Sequence, residues 1–129
     1  MQKQIEAVKQ FHTVYKLGFS ETLKNDLGKT KNLLRYNLMK EENEEYLEAV
    51  QNKDMVEIAD ALGDMLYILC GTIIEHGLQD KIEQVFDEIQ RSNMSKLGEN
   101  GEPLYREDGK VMKGPTYFKP DFSKIINND

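Results

Sequence analysis

The stretch MKEENEEYLEAV, residues 39–50, places five glutamates within the eight positions from Glu41 to Glu48. It is followed closely by EIADALGDMLY, residues 57–67, which again mixes carboxylates with leucines. Where the acids point relative to the leucines decides the reading of both segments. On a helical wheel at 100° per residue with Leu34 as origin, Leu38, Glu42, Glu45 and Ala49 fall at roughly 40°, 80°, 20° and 60°. Glu45 thus shares the face of Leu34, Leu38 and Ala49, with Glu42 at its edge, and Glu41 and Glu48 lie on the other flank. The acids continue an apolar stripe instead of opposing it.

The second segment repeats the pattern. With Val56 as origin, Asp60, Asp64 and Glu57 fall at roughly 40°, 80° and 100°, in one wedge with Tyr67 and Gly71. Ile58, Leu62, Met65, Leu66, Leu69 and Ile73 occupy the broad opposite face. A helix this apolar is expected to be mostly buried, with its acidic wedge turned into a cleft. Residues 54–80 contain no lysine or arginine. Buried carboxylates without partners cost several kcal/mol each, so protonation, a distant base or a bound cation must relieve them. Oxygen-only donors favour Mg²⁺ or Mn²⁺ over zinc or copper. A di-iron bundle needs Glu-x-x-His, and the residues three before His12 and His76 are Lys9 and Ile73.

Working outward, Ile5, Val8, Phe11, His12 and Tyr15 recur at helical spacing and predict a helix over 3–16, closed by Gly18. A polar connector fills 18–30. A long helix is expected from about Thr30 to Gln51, then a turn at Asn52-Lys53-Asp54. Asp54 reads as an N-cap with Glu57 completing a capping box, opening a helix to about His76 that Gly77 ends. A fourth helix over about 80–92 has Ile82, Val85, Phe86 and Ile89 as its buried stripe. From Gly98 to Pro120 the chain is glycine-rich and holds all three prolines. That segment is irregular, with turns at Asn100-Gly101 and Asp108-Gly109 and room for a small hairpin between Pro103 and Met112. The last residues are expected to fray. The expected fold is all-α, an antiparallel four-helix arrangement with an irregular C-terminal arm, in one domain over 1–129. Its helical core spans about 3–95 and its arm about 96–122.

A chain of 129 residues with 39% hydrophobic and 31% charged residues suits one soluble helical domain. No run reaches the length of a membrane span, and MQKQIEAVKQFH is unlike a signal peptide, so the expected address is the cytoplasm. The single cysteine, Cys70, forms no internal disulfide and is expected in the core. A net charge of −6 argues against binding a nucleic acid polymer. The charge is unevenly spread: residues 41–80 carry eleven acids and one base, Lys53, whereas 91–120 carry six bases and four acids. An acidic middle and a basic tail suit mutual attraction or the two halves of a metal–polyphosphate ligand.

Glu41-Glu42-Asn43-Glu44-Glu45 and Glu57-Ile58-Ala59-Asp60 together resemble the E-E-x-x-E and E-x-x-D pair of the all-α nucleoside triphosphate pyrophosphohydrolases. These include the MazG-like proteins, the dimeric dUTPases and the phosphoribosyl-ATP pyrophosphohydrolases. The likeness extends over most of residues 5–95, including the helix entry LLRYNLMKEE. In MazG-like chains the second aspartate usually follows glycine, as Asp64 follows Gly63 here, but that register puts Ala61 where a glutamate belongs. Ser92-Asn93-Met94-Ser95-Lys96 and Gly109-Lys110-Val111-Met112-Lys113-Gly114-Pro115 resemble the tail of a phosphoribosyl-ATP pyrophosphohydrolase-like subgroup.

The resemblance implies Mg²⁺-dependent hydrolysis of a nucleoside triphosphate, or a phosphoribosyl-ATP-like nucleotide, to monophosphate and pyrophosphate, with Mn²⁺ as a substitute. Glu42, Glu45, Glu57 and Asp60 would hold metal, and Glu41 and Asp64 would complete a second metal or orient the attacking water. Asn93, Lys96, Lys110 and Lys113 would bind substrate, the lysines as mobile point charges on phosphate. Tyr36, Tyr46, Tyr67, Tyr117 and Phe118 are candidates to stack on a base. Nucleotide-pool housekeeping, with dUTP, dCTP or a damaged nucleotide as substrate, is as compatible as phosphoribosyl-ATP. The family's shared sites imply a homodimer or tetramer. The alternative is a non-catalytic helical module that binds protein through its acidic face.

Overall fold

The computed structural model describes residues 1–98 and 100–127. It is all-α: α1 (Gln2–Val14), α2 (Lys29–Gln51), α3 (Met55–Glu75), α4 (Ile82–Met94) and a short α5 (Ser123–Asn127). The four longer helices lie within two residues or so of their expected bounds. The chain forms two compact units, Met1–Asp80 and Lys81–Asp129.

In the first unit α2 packs along α3, and α1 packs on α3. The short connection at Asn52-Lys53-Asp54 makes α2 and α3 antiparallel neighbours. Lys53 takes a left-handed conformation, φ 54°, and the Asp54 amide donates back to the Ala49 carbonyl at 3.0 Å. Asp54 then caps α3 as expected, its side chain accepting from the Glu57 amide at 3.2 Å. At the other end Gly77, φ 74°, lets the Leu78 amide reach the Ile73 carbonyl at 2.9 Å. The polar connector closes over this end: the amides of Ser20 and Lys24 donate to the carbonyls of Ile74 (2.9 Å) and His76 (3.0 Å). Those contacts satisfy acceptors that a helix C-terminus leaves open.

The buried apolar side chains of the described residues are Ile5, Val8, Ala49, Ala61, Cys70, Ile73 and Ile74. Burial in this core pushes the Cys70 thiol pKa up, as suits an inert cysteine. One expectation is corrected here. The leucines of α3 are not buried as expected: Leu62, Leu66 and Leu69 are 50, 42 and 43% exposed. Of the expected face Ile73 is buried and Ile58 and Met65 are half-buried. The buried residues of α3 are Ala61, Cys70, Gly71, Ile73, Ile74 and Glu75, and the leucines face outward.

In the second unit the Ser92 hydroxyl donates to the Phe118 carbonyl at 2.9 Å, and the Phe118 amide to Ser95 Oγ at 3.1 Å. Glu88 accepts from the Asp121 amide at 2.8 Å, while the Arg91 guanidinium stacks 4.3 Å from the Phe118 ring centre. These contacts bring the chain after Pro115 back onto α4. Of the apolar stripe expected on α4, Ile82 and Val85 are half-buried, but Phe86 and Ile89 are 67 and 39% exposed. The expected hairpin is present in miniature as an antiparallel bridge between Tyr105 and Val111. The Arg106 amide donates to Lys110 and that of Met112 to Leu104, both at 2.8 Å. Towards the C-terminus Ser123–Asn127 forms α5, started by Asp121 accepting from the Ser123 amide at 3.0 Å. Glu99 and the last two residues, Asn128 and Asp129, expected to fray, lie outside the described residues.

Candidate functional site

The seam between α2 and α3 is polar along much of its length. Lys31, Arg35, Leu38, Glu42 and Ala49 recur on one side of α2 at helical spacing. On α3 the corresponding side presents Asp60, Asp64, Gly71 and Glu75. Antiparallel packing therefore sorts the charges. Near the C-terminal end of α3 bases meet an acid; nearer the turn, acids meet acids.

The mixed end is internally neutralised. Glu75 is 3% exposed, with Lys31 Nζ 2.8 Å from its Oε1 and Arg35 Nε 3.4 Å from its Oε2. Arg35 itself is buried, which lowers its pKa, and the Glu75 carboxylate partly restores it. The acidic end has no such relief. Among the described residues no lysine, arginine or histidine forms an ion pair with Glu42, Glu45, Glu57, Asp60 or Asp64.

Glu42 is the focus of this end. It is half-buried, and its Oε2 is shut off from solvent with no hydrogen-bond partner. Its pKa is raised from 4.5 to about 7, first by desolvation, then by a hydrogen bond shared with Glu45 and the negative charges of Glu45, Asp64 and Asp60. That hydrogen bond needs a proton between the two carboxyls. As carboxylates they have none to share, and the buried Oε2 has no hydrogen-bond partner. Either a proton or a cation resolves the conflict.

Beside this cluster lies a cleft of about 500 Å³ lined by Glu45, Glu48, Ala49, Asn52, Asp54, Glu57 and Asp60. Of the expected metal residues, Glu45, Glu57 and Asp60 stand on its wall. Glu42 joins them through its interactions with Glu45 and Asp60, and Asp64 is the half-buried neighbour of Glu42. Glu41 is exposed and off the cleft wall. Among the described residues no group of three or more acids, histidines or cysteines is arranged to hold a metal ion. The chemistry of the acids nonetheless suits a hard cation: the donors are all oxygen, none has an ion-pair partner among the described residues, and one Glu42 oxygen is buried without a hydrogen-bond partner. Glu48, Asn52 and Asp54 were not singled out as site residues from the sequence, although all three lie at the turn that both acidic helices share.

The other expected substrate residues lie in the second unit. Asn93, Lys96 and Lys110 line a cavity of about 440 Å³ with Met94, Leu97, Pro103 and Val111. Neither lysine forms an ion pair among the described residues. Lys113 is not on that wall; its ammonium sits 5.0 Å from the Tyr117 ring centre. Of the candidate stacking rings, Tyr67 packs edge-on against Phe11 at 5.6 Å and Phe118 lies under Arg91, whereas Tyr36 is 59% exposed.

An all-α chain with an acidic seam between antiparallel helices is the architecture expected of the nucleoside triphosphate pyrophosphohydrolase superfamily. The chain belongs to the phosphoribosyl-ATP pyrophosphohydrolase family, whose sequence model matches residues 8–93. It is accordingly a pyrophosphohydrolase, a hydrolase of acid anhydrides that acts on a nucleotide. The matched segment contains both acidic stretches and ends at Asn93, so Lys96, Lys110 and Lys113 lie beyond it. No curated protein matches the chain. No helix among the described residues is long and apolar enough to cross a membrane.

Proposed function

We propose that this protein hydrolyses a nucleoside triphosphate, or a phosphoribosyl-ATP-like nucleotide, to the monophosphate and pyrophosphate in an Mg²⁺-dependent reaction, as housekeeping of the nucleotide pool. The observation that carries the proposal is the half-buried Glu42 carboxyl, set against Glu45, Asp60 and Asp64 with no base among the described residues to neutralise them. Glu42, Glu45, Glu57 and Asp60 are the residues that would hold Mg²⁺, with Mn²⁺ as a substitute. When bound, the ion supplies charge neutralisation at the polyphosphate and a lowered pKa for a coordinated water.

The chain's own groups do the rest. Asp64, half-buried beside Glu42, would complete a second metal or orient the attacking water and accept its proton, and exposed Glu41 is the second candidate for that role. Asn93, Lys96 and Lys110, which share the cavity of the second unit, would offer hydrogen bonds and positive charge to an anionic ligand, and Lys113 would add a further mobile cation. A homodimer or tetramer is part of this reading, supported by the outward leucines of α3, an apolar face of the kind that marks interfaces. A cytoplasmic address fits the single, fully buried thiol of Cys70.

The test is pyrophosphate release with Mg²⁺ across a panel of canonical and modified nucleoside triphosphates and phosphoribosyl-ATP, with Glu45→Gln as control. Release by the wild type and loss in the variant support the proposal, and the panel names the substrate. No release from any compound, with no thermal stabilisation by Mg²⁺, refutes it and leaves the acidic face as a partner-binding surface.

A further inference from the structure

Arg35 does more than neutralise Glu75. Its Nη2 donates to the Ile68 carbonyl at 2.8 Å and its Nε to the Thr72 hydroxyl at 3.0 Å. The same Thr72 hydroxyl donates to the Ile68 carbonyl at 3.0 Å. One rigid guanidinium thus engages groups from two successive turns of α3. It reaches them because residue 71 is glycine: a Cβ there would lie 2.6 Å from Arg35 Nη2 and 2.9 Å from His12 Nε2. His12, 3% exposed, is fixed in turn by its Nδ1 at 2.9 Å from the Gly18 carbonyl. Side chains from α1 and α2 therefore both close on the bare Gly71 position of α3.

The position of that group along the seam gives it a second role. Arg35 lies two helical turns before Glu42 on α2, and Ile68 lies about one turn after Asp64 on α3. At the acidic end the charges facing each other repel, and the helices are held there by the Asn52-Lys53-Asp54 turn and the buried Ala49 and Ala61 alone, without a polar cross-link among the described residues. A slide of α2 by a single residue, about 1.5 Å, would break the fork at Ile68 and Thr72.

We infer that Arg35, seated in the notch left by Gly71, is a positioning residue that holds α2 and α3 in the register bringing Glu42 and Glu45 against Asp60 and Asp64. Its consequence for cation binding rests on the reading of the acidic end as a metal site; the register itself does not.

Thr72 offers the mildest test. Thr72→Val keeps the shape and removes the acceptor for Arg35, Thr72→Ser keeps the hydroxyl, and Arg35→Lys keeps the charge without the fork. The distance between spin labels at Leu47→Cys and Ala59→Cys, both exposed positions, reads the register by pulsed EPR in labelled protein diluted with unlabelled protein. Cys70, 0% exposed, stays unlabelled. Mn²⁺ affinity is read on the same variants, with melting temperature alongside. Thr72→Val and Arg35→Lys are expected to shift or broaden the distance and weaken Mn²⁺ binding by about tenfold, the low end for residues that orient metal ligands, while Thr72→Ser keeps both. A lowered melting temperature with wild-type distance and wild-type Mn²⁺ affinity in Thr72→Val makes Arg35 a stabiliser only and overturns the inference. If wild type binds no Mn²⁺, the cation reading fails and the distance alone decides the register. If Arg35→Lys does not fold, Thr72→Val decides.

Discussion

Replacing Glu42 by glutamine should strengthen the fold where the wild type is weakest. In the native protein the Glu42 carboxyl is held at about 7 against an ordinary 4.5, so the native state binds that proton more tightly than the unfolded chain does. The favourable contribution is complete below pH 4.5 and is lost as the pH climbs through 7, above which the charged form opposes folding. Taken at face value, 1.36 kcal/mol per pKa unit makes the shift worth about 3 kcal/mol; screening by water around the exposed neighbours reduces this to about 1–2 kcal/mol. Glu42→Gln removes the titration and keeps the shape. In EDTA the variant should therefore exceed wild type by about 1–2 kcal/mol at pH 8, with the gap closing as the pH falls towards 4.5. Saturating Mg²⁺ at pH 8 should stabilise wild type and do little for the variant. Urea unfolding at several pH values, with and without Mg²⁺, measures all four conditions. A variant no more stable than wild type at pH 8, or one stabilised equally by Mg²⁺, would refute the reasoning.

The mixed end of the seam should respond in the opposite sense. Glu75→Gln leaves the buried Arg35 without its counter-charge and should cost about 3 kcal/mol in urea unfolding, the range for breaking one side of a buried pair. Gly77→Ala puts a methyl group at a φ of 74° and 2.1 Å from the Thr22 carbonyl oxygen, and should cost about 2–3 kcal/mol with a lowered melting temperature. Leu66→Asp with Leu69→Asp should convert an oligomer to a 15.0 kDa monomer in light scattering; a wild type already monomeric at the same concentration would rule out that interface.

Much of the fold was legible because the helix signals are local. Asp54 three residues before Glu57, Gly77 after an apolar run and the glycine-rich arm mark their boundaries by backbone chemistry that tertiary packing leaves intact. The packing itself was less legible. The wheel put the leucines of α3 in the core with Ile73 because area favours burying them, yet only Ile73 of these is buried, and the chain seats α3 on it with Ala61, Cys70, Gly71 and Ile74, of which alanine and glycine allow closer approach. The same wheel could have found the mixed end of the seam: Arg35 shares the face of Glu42, and Glu75 falls in the wedge of Asp60 and Asp64. The absence of bases in residues 54–80 hid the pairing, since the relieving cations sit on the preceding helix. The arm was legible as irregular chain, but its cavity depends on Asn93 and Lys110 meeting across many residues, which no periodicity encodes.

The most direct measurement is calorimetric titration of Mg²⁺ into the nucleotide-free protein at pH 8, comparing wild type with Glu45→Gln and Asp60→Asn. Binding in the wild type, lost or strongly weakened in both variants, is the predicted result. No binding to a folded wild type, or binding unchanged in the variants, would contradict the claim that the acidic end of the α2–α3 seam is a cation site.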